Sequence, residues 1–325
     1  MPVEKLFSLF NDTAEILQEE LHCTYLEALA ETGENIFQQQ VMQEVSEIAK
    51  KRLDKKYEEV PLAAYSSEEI RRSYQFAILK GMKEHVQSNH QMTPDTIGFF
   101  INYLIGKFME GKKEMSILDP AIGTGNLLMT ILNGQGQDVY MEAYGVDVDD
   151  LLIKLAYIGA NLQMQAVELF NQDALQPLFI DPVDVVVCDL PVGYYPDDAN
   201  AENYTLKKDE GHSYAHHLLI EQSLRHTKPG GYLFFLIPNN LFENEEARRL
   251  HEYLKDTAYI QAVLQLPLSM FATDQTAKSI FVLQKKKPGV KQPKEVLLAA
   301  FPKLSNKEAM DRMLVKMEKW FIENK

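Results

Sequence analysis

Four aspartates stand out as candidates for chemistry, because each closes or follows a short apolar run: Asp119, Asp147, Asp173 and Asp189. Singly, a carboxylate at a strand end is an ordinary loop residue. In this order, each at the carboxyl end of an expected strand, they mark the edge where open α/β sheets bind ligands. The first begins the segment Asp119-Pro120-Ala121-Ile122-Gly123-Thr124-Gly125-Asn126. There an apolar strand runs into a turn with two glycines, and a helix begins behind it. Glycines let a backbone approach a ligand closely, and a helix N-terminus offers unpaired N–H groups. A dinucleotide fingerprint would want a further glycine where Leu128 stands, and would have no Asp-Pro pair before its turn. The remaining candidates lack partners in sequence. His212, His216 and His217 have no second ligand group at metal spacing, so no metal is expected. Cys23 and Cys188 make neither a disulfide framework nor a metal pair.

Such a site needs a sheet with helices to hold it. Apolar runs at Met115–Leu118, Val139–Val146, Val183–Cys188, Tyr232–Ile237, Ile260–Leu266 and Ile280–Gln284 alternate with helical patterns near 126–133, 150–162, 213–227 and 243–255. Alternation of this kind predicts a mainly parallel sheet with helices on both faces. The loop 267–279 is too short for a helical crossover, so the last two runs are expected to pair antiparallel. Residues 305–323 read as a closing helix. Upstream, the pattern is helical throughout. Leu6, Leu9, Phe10, Ile16, Leu17, Leu21 and Tyr25 recur at helical spacing, as do Phe37, Val41, Val45 and Ile48. Ser66 and Glu69 have capping-box spacing ahead of Ile70, Tyr74, Ile78 and Met82. Thr93-Pro94 would start another helix bearing Ile97, Ile101, Leu104, Ile105 and Phe108, with Gly111 closing it. The expectation is an α/β fold with two domains: a small all-α N-terminal domain (1–88) and a larger α/β domain (89–325).

Asp-Pro-Ala-x-Gly-Thr-Gly at 119–125 resembles the cofactor loop of the amino-group methyltransferases. Further motifs in order are similar to the N6-adenine DNA methylases, especially the modification subunits of type I restriction enzymes. These are Gln91-Met92-Thr93-Pro94, Tyr144-Gly145-Val146-Asp147, Asn171-Gln172-Asp173-Ala174, Pro229-Gly230-Gly231-Tyr232, Ile237-Pro238-Asn239, and Leu266-Pro267 with Phe271. The resemblance covers residues 90–285 and implies a Rossmann-like class I methyltransferase sheet, mostly parallel with its last strand antiparallel. It also implies S-adenosylmethionine (SAM) as cofactor. Thr93 would contact the methionine end, and Asp119, Ala121, Gly123, Thr124, Gly125 and Asn126 would form the cofactor loop. Asp147, followed by Val148, lies 22 positions after Gly125, where the family's carboxylate accepts two ribose hydroxyls. Asp173, with Ala174, resembles the residue that holds the adenine amino group.

The fourth run ends in Asp189-Leu190-Pro191-Val192, where the family has Asn, Asp or Ser, then Pro-Pro, then Tyr or Phe. A side-chain oxygen and a backbone carbonyl there accept hydrogen bonds from the target amine and aim its lone pair at the methyl donor. Asp189, the Leu190 carbonyl and Pro191 retain that pattern. Val192 removes the aromatic, whose stacking on a base is worth roughly 1–3 kcal/mol. Tyr194 and Tyr195 are the nearby residues that can replace it or serve as plain loop aromatics.

Composition bounds the reading. With 46% hydrophobic and 25% charged residues the chain reads as globular. A net charge of −14 argues against coating nucleic acid by charge alone. Residues 285–325 nevertheless carry 11 Lys+Arg against 5 Asp+Glu, beginning Lys285-Lys286-Lys287. No apolar run approaches the roughly 20 residues of a membrane span, and the N-terminus has no secretory pattern, so the expected place is the reduced cytoplasm with no membrane partner. After residue 285 there is too little chain for the target-recognition domain of single-chain relatives, so sequence choice would come from a partner subunit, as in type I systems, or be absent. Three functions fit: methylation of DNA adenine, methylation of an RNA or protein amine or amide, or SAM binding without turnover.

Overall fold

Helical apolar spacing over residues 2–84 becomes α1 (Pro2–Leu21), α2 (Tyr25–Gln38), α3 (Glu47–Glu59) and α4 (Ser67–Glu84) in the computed structural model of the chain. It describes residues 2–84, 92–136, 138–243, 246–271, 273, 276–303 and 305–324. Gln91 and the expected boundary at residue 88 lie outside these. The chain continues as α5 (Asp95–Phe108), β1 (Glu114–Asp119), α6 (Asn126–Asn133), β2 (Tyr140–Asp147), α7 (Asp150–Leu162), β3 (Val167–Asn171) and β4 (Val183–Asp189). Then come α8 (Asp198–Ala201), α9 (Ala215–Arg225), β5 (Thr227–Pro238), α10 (Ala247–Thr257), β6 (Ala258–Gln265), β7 (Lys278–Lys285), β8 (Leu297–Ala300) and α11 (Lys307–Asn324). One sheet of eight strands runs in the order β3-β2-β1-β4-β5-β7-β6-β8.

The chain divides into two compact units. The first comprises Met1–Asn102, Ile122–Gln137 and Gly145–Gln172. Its core packs Leu6, Phe10, Leu17, Tyr25, Leu29, Leu53 and Tyr74 against Leu155, Ile158 and Leu162 of α7. Burial of each such side chain contributes about 1.5–3 kcal/mol. Gly33 is required where α2 meets α7, since a Cβ there would lie 2.2 Å from Ile158 Cγ2. The Ser66–Glu69 capping box is present: Ser66 N–H donates to Glu69 Oε2 (3.0 Å), and Glu69 N–H to Ser66 Oγ (3.3 Å). The stripe Phe37–Ile48 is not one helix. Gln39 turns left-handed (φ 56°) and ends α2, while Asn35 Oδ1 accepts Met42 N–H and draws the chain aside. Ile48 then faces solvent.

The second unit comprises Tyr103–Ala121, Asp138–Tyr144 and Asp173–Lys325. In it β1, β4 and β5 pair in parallel, and β7 runs antiparallel between β5 and β6. The expected antiparallel pairing is thus found. A short strand absent from the sequence expectation, β8, follows it and lies parallel to β6. It alternates buried and exposed residues over only four positions, too few for a period to register. Val-rich β4 is buried from Val183 to Cys188, including Asp184. That carboxylate accepts Ser116 N–H (3.0 Å) and is paired with Lys112 and Lys228, so it stays far below the usual carboxylate range despite its burial. Phe108 anchors an aromatic cluster with Tyr232, Phe234, Trp320 and Phe321, ring centres 5.0–6.0 Å apart. No helix among the described residues is long and apolar enough to cross a membrane.

Candidate functional site

In the first unit the glycine turn is tied down on both sides. Ile122 N–H donates to the Val146 carbonyl (3.0 Å), and Gly123 N–H donates to Asp147 Oδ2 (2.7 Å). Asp147 Oδ1 accepts Asp149 N–H (3.0 Å), and Asp149 in turn caps α7 by accepting from Leu151 and Leu152. One carboxylate at the end of β2 therefore braces the loop that follows β1. Gly123 and Gly125 take positive φ (55° and 83°), and a Cβ on Gly125 would lie 3.3 Å from that of Ala156. Val148 is exposed, with its carbonyl accepting Asn171 Nδ2 (3.2 Å).

Asn126, the first residue of α6, is buried. Its Nδ2 donates to the Thr93 carbonyl (2.8 Å) and Asp95 Oδ1 (3.2 Å), and its Oδ1 accepts from Arg71 (2.6 Å). Arg71, 2% exposed on α4, also grips both Glu68 oxygens (2.7 and 2.8 Å) and Asp95 (2.9 Å). The Thr93-Pro94 segment and the start of α6 are thereby fixed by one guanidinium. Sequence reasoning missed it. Glu68 and Arg71 at helical spacing were a visible signal for a pair, but nothing marked Asp95 and Asn126 as the further partners.

In the second unit Asp119 is buried at the end of β1, where its Oδ1 accepts Ala121 N–H (3.2 Å). Asp173 follows β3; its Oδ1 accepts Leu175 N–H (2.9 Å) and its Oδ2 the Tyr195 hydroxyl (2.5 Å). The Ala174 carbonyl accepts Gln222 Nε2 (2.8 Å). Asp189 ends β4 half-buried, its Oδ1 paired with Lys278 Nζ at the start of β7. Leu190 N–H continues the ladder to the Leu236 carbonyl (3.2 Å), and the Pro191–Tyr194 turn is exposed. Lys278 was not anticipated; a single cation opening an apolar strand was its only trace.

The two tyrosines separate. Tyr195 is 6% exposed, inside the fold. Tyr194 is 61% exposed and lays its ring on Tyr214, centres 5.1 Å apart and 18° from parallel. Lys208 Nζ sits 5.4 Å from the Tyr214 ring. Tyr214 lies in turn against His216 and His217, both buried at the start of α9, whereas His212 is exposed beside Asp198. Among the described residues no group of three His, Cys, Asp or Glu side chains is arranged to hold a metal.

The sequence pattern of the N-6 DNA methylases matches residues 72–324, more than three quarters of the chain. The chain belongs to the N-6 DNA methylase family. Residues 4–82 also match the YtxK N-terminal helical domain. YtxK of Bacillus subtilis (strain 168), itself uncharacterized, is 50% identical over 99% of this chain and 98% of its own length. A crystal structure from Listeria monocytogenes, described as a candidate class I S-adenosylmethionine-dependent methyltransferase, is 49% identical, with TM-score 0.92 over 98% of this chain and 99% of that one. The methyltransferase subunit of a type I restriction-modification system from Streptococcus thermophilus shares the fold at 15% identity: TM-score 0.66, 96% of this chain and 74% of that one. The fold is thus that of the class I methyltransferases, with a helical N-terminal segment.

In this chain the paired histidines are expected to make stability depend on pH. Burial pushes His216 down to about 4; burial and the neighbouring His216 push His217 down to about 3. His216 Nδ1 and His217 Nε2 are buried without hydrogen-bond partners, so neither proton gain is compensated. In the unfolded chain both titrate near 6.5, so as pH falls the unfolded state takes up protons first. The stability is whole above pH 6.5 and declines toward pH 4, by about 2 kcal/mol per histidine on reaching pH 5. Urea midpoints at pH 7.5 and 5.0 measure it. A His216→Gln, His217→Gln variant is expected to flatten the difference; an unchanged slope would place its cause elsewhere.

Proposed function

We propose that this chain binds SAM and transfers its methyl group to an exocyclic amine, with DNA adenine as the foremost acceptor. The observation that carries the reading is Asp189 at the end of β4, its carboxylate oriented by Lys278 and followed by the Leu190 carbonyl. In this reading Asp119, Ala121, Gly123, Thr124, Gly125, Asn126, Asp147, Val148, Asp173 and Ala174 hold the cofactor, with Thr93 at its methionine end. Bound SAM supplies an electrophilic methyl on a sulfonium. Asp189 and the Leu190 carbonyl accept hydrogen bonds from the amine and turn its lone pair in line; Pro191 stiffens the turn. The acceptor nitrogen would take up the methyl group that bound SAM supplies and release one proton to solvent, with Asp189 and the Leu190 carbonyl holding it in place. Catalysis is chiefly positioning. Residues 1–88 act as a helical domain and 89–325 as the methyltransferase domain, in the reduced cytoplasm, with a partner subunit supplying sequence choice.

A second reading, SAM binding without turnover, is favoured by Val192: it is 57% exposed where the family has an aromatic, and Tyr194 has one ring face taken by Tyr214. Calorimetry with SAM, followed by tritiated methyl transfer to unmethylated DNA, to RNA and to lysate protein, separates the readings. Label in DNA adenine is the expected outcome. Label only in RNA or protein moves the acceptor class, SAM binding with no label favours the silent reading, and no SAM binding overturns both.

A further inference from the structure

The segment after Asp189 is fastened to the residues that follow β3, and one of its fasteners differs from the rest. Tyr195 N–H donates to the Ser213 carbonyl (2.8 Å) and Ala215 N–H to the Gly193 carbonyl (2.9 Å), which pins the turn to the start of α9. Asn200 Nδ2 donates to the Leu175 carbonyl (3.0 Å) and to the Tyr195 hydroxyl oxygen (2.9 Å). The Tyr204 hydroxyl donates to the same Leu175 carbonyl (2.6 Å). These bonds end on backbone or on one another. The Tyr195 hydroxyl alone among them ends on a carboxylate, Asp173 Oδ2, at 2.5 Å. Burial and Asp173 push the phenol up to about 12, so it remains a donor at neutral pH.

A carboxylate has about four lone-pair sites. Leu175 N–H occupies one on Oδ1 and Tyr195 one on Oδ2; the two donors fix the plane of the carboxylate and leave acceptor capacity for a third. We propose that Tyr195 is a positioning residue for the cofactor: its hydroxyl orients Asp173 to accept the adenine amino group, and the same bond couples cofactor occupancy to the order of the 190–197 segment. The inference rests on the reading of Asp173 as the adenine acceptor. It gives Tyr195 a role inside the fold in place of the stacking role expected for it. Cofactor binding would then add a donor to an ion already tied to the turn that presents Asp189, so the turn would tighten before an acceptor base arrives.

The test compares S-adenosylhomocysteine with S-inosylhomocysteine, which lacks the 6-amino group, on the full chain. Tyr195→Phe is expected to weaken S-adenosylhomocysteine about tenfold, the equivalent of one charge-assisted hydrogen bond, and to leave S-inosylhomocysteine within about twofold. Hydrogen exchange of residues 190–197 should slow when S-adenosylhomocysteine is added to the wild type, and not in Tyr195→Phe. Tyr204→Phe removes a neighbouring phenol that bonds the Leu175 carbonyl rather than Asp173 and should leave both affinities unchanged. Equal weakening of both ligands by Tyr195→Phe, or no weakening of either, would overturn the inference while leaving the cofactor reading intact. Failure of the wild type to bind S-adenosylhomocysteine would overturn that reading and the inference with it.

Discussion

Replacement of Asp189 by alanine is expected to lower methyl transfer by about a hundredfold or more while leaving SAM affinity within about twofold. The exocyclic amine of a base is a weak nucleophile whose lone pair is delocalised into the ring. Hydrogen bonds to a side-chain oxygen and a backbone carbonyl draw the lone pair out of that conjugation and toward the methyl group. Removing the side-chain acceptor leaves the carbonyl alone, and misplacement by about 1 Å costs a factor of this size. Asp189 is held by Lys278, which is itself partly exposed, so the orphaned ammonium turns to water and the fold survives. Asp189→Asn keeps an oxygen acceptor and should retain more activity than Asp189→Ala. Rates of tritium transfer, measured after calorimetry on each variant, decide the matter. Wild-type rates in Asp189→Ala would remove this residue from the reaction.

Arg71→Met should destabilise the protein by about 1–3 kcal/mol, because it leaves the buried Asn126 oxygen without its donor and two part-buried carboxylates without their cation. Glu68, Asp95 and the Asn126 amide all converge on this guanidinium. Burial works against its charge, but the two carboxylates outweigh it and hold the group protonated well above its ordinary range. Arg71→Lys should recover part of the loss, since an ammonium cannot reach a bidentate carboxylate and two further acceptors in one plane. SAM affinity should fall along with stability, because Asn126 loses the bond that sets the first turn of α6. Thermal melts and calorimetry on the three proteins test both effects. A Met variant as stable as the wild type would show the network to be replaceable by packing.

Much of the architecture was legible in the chain because its signals are local. Asn126–Asn133 and Asp150–Leu162 are helices where the apolar period and their flanking residues called for them. Ser66 caps with Glu69 as their spacing implied, and the Asp-Pro-Ala-x-Gly-Thr-Gly run is a turn with both glycines at positive φ. Signals of three to seven residues suffice for such features. Where two local tendencies competed, sequence reading went astray. The Phe37–Ile48 stripe has helical spacing, yet the Asn35 side chain captures a backbone N–H beyond the helix end and diverts the chain. β8 is too short to display a period and exists by pairing with β6.

The order and kinds of groups along the chain were therefore determined by sequence alone: a glycine turn behind a strand, and carboxylates at successive strand ends, Asp189 among them. Which groups are tied to which was decided only by folding. Asp189 meets a lysine 89 residues later, Asp173 meets the hydroxyl of Tyr195 rather than leaving that ring open, and Arg71 reaches Asn126 across 55 residues. Such pairings depend on strand order and on which faces are buried. Charge and hydrogen-bonding capacity are written in the residue, but the partner that satisfies them is set by packing that brings distant segments within about 3 Å.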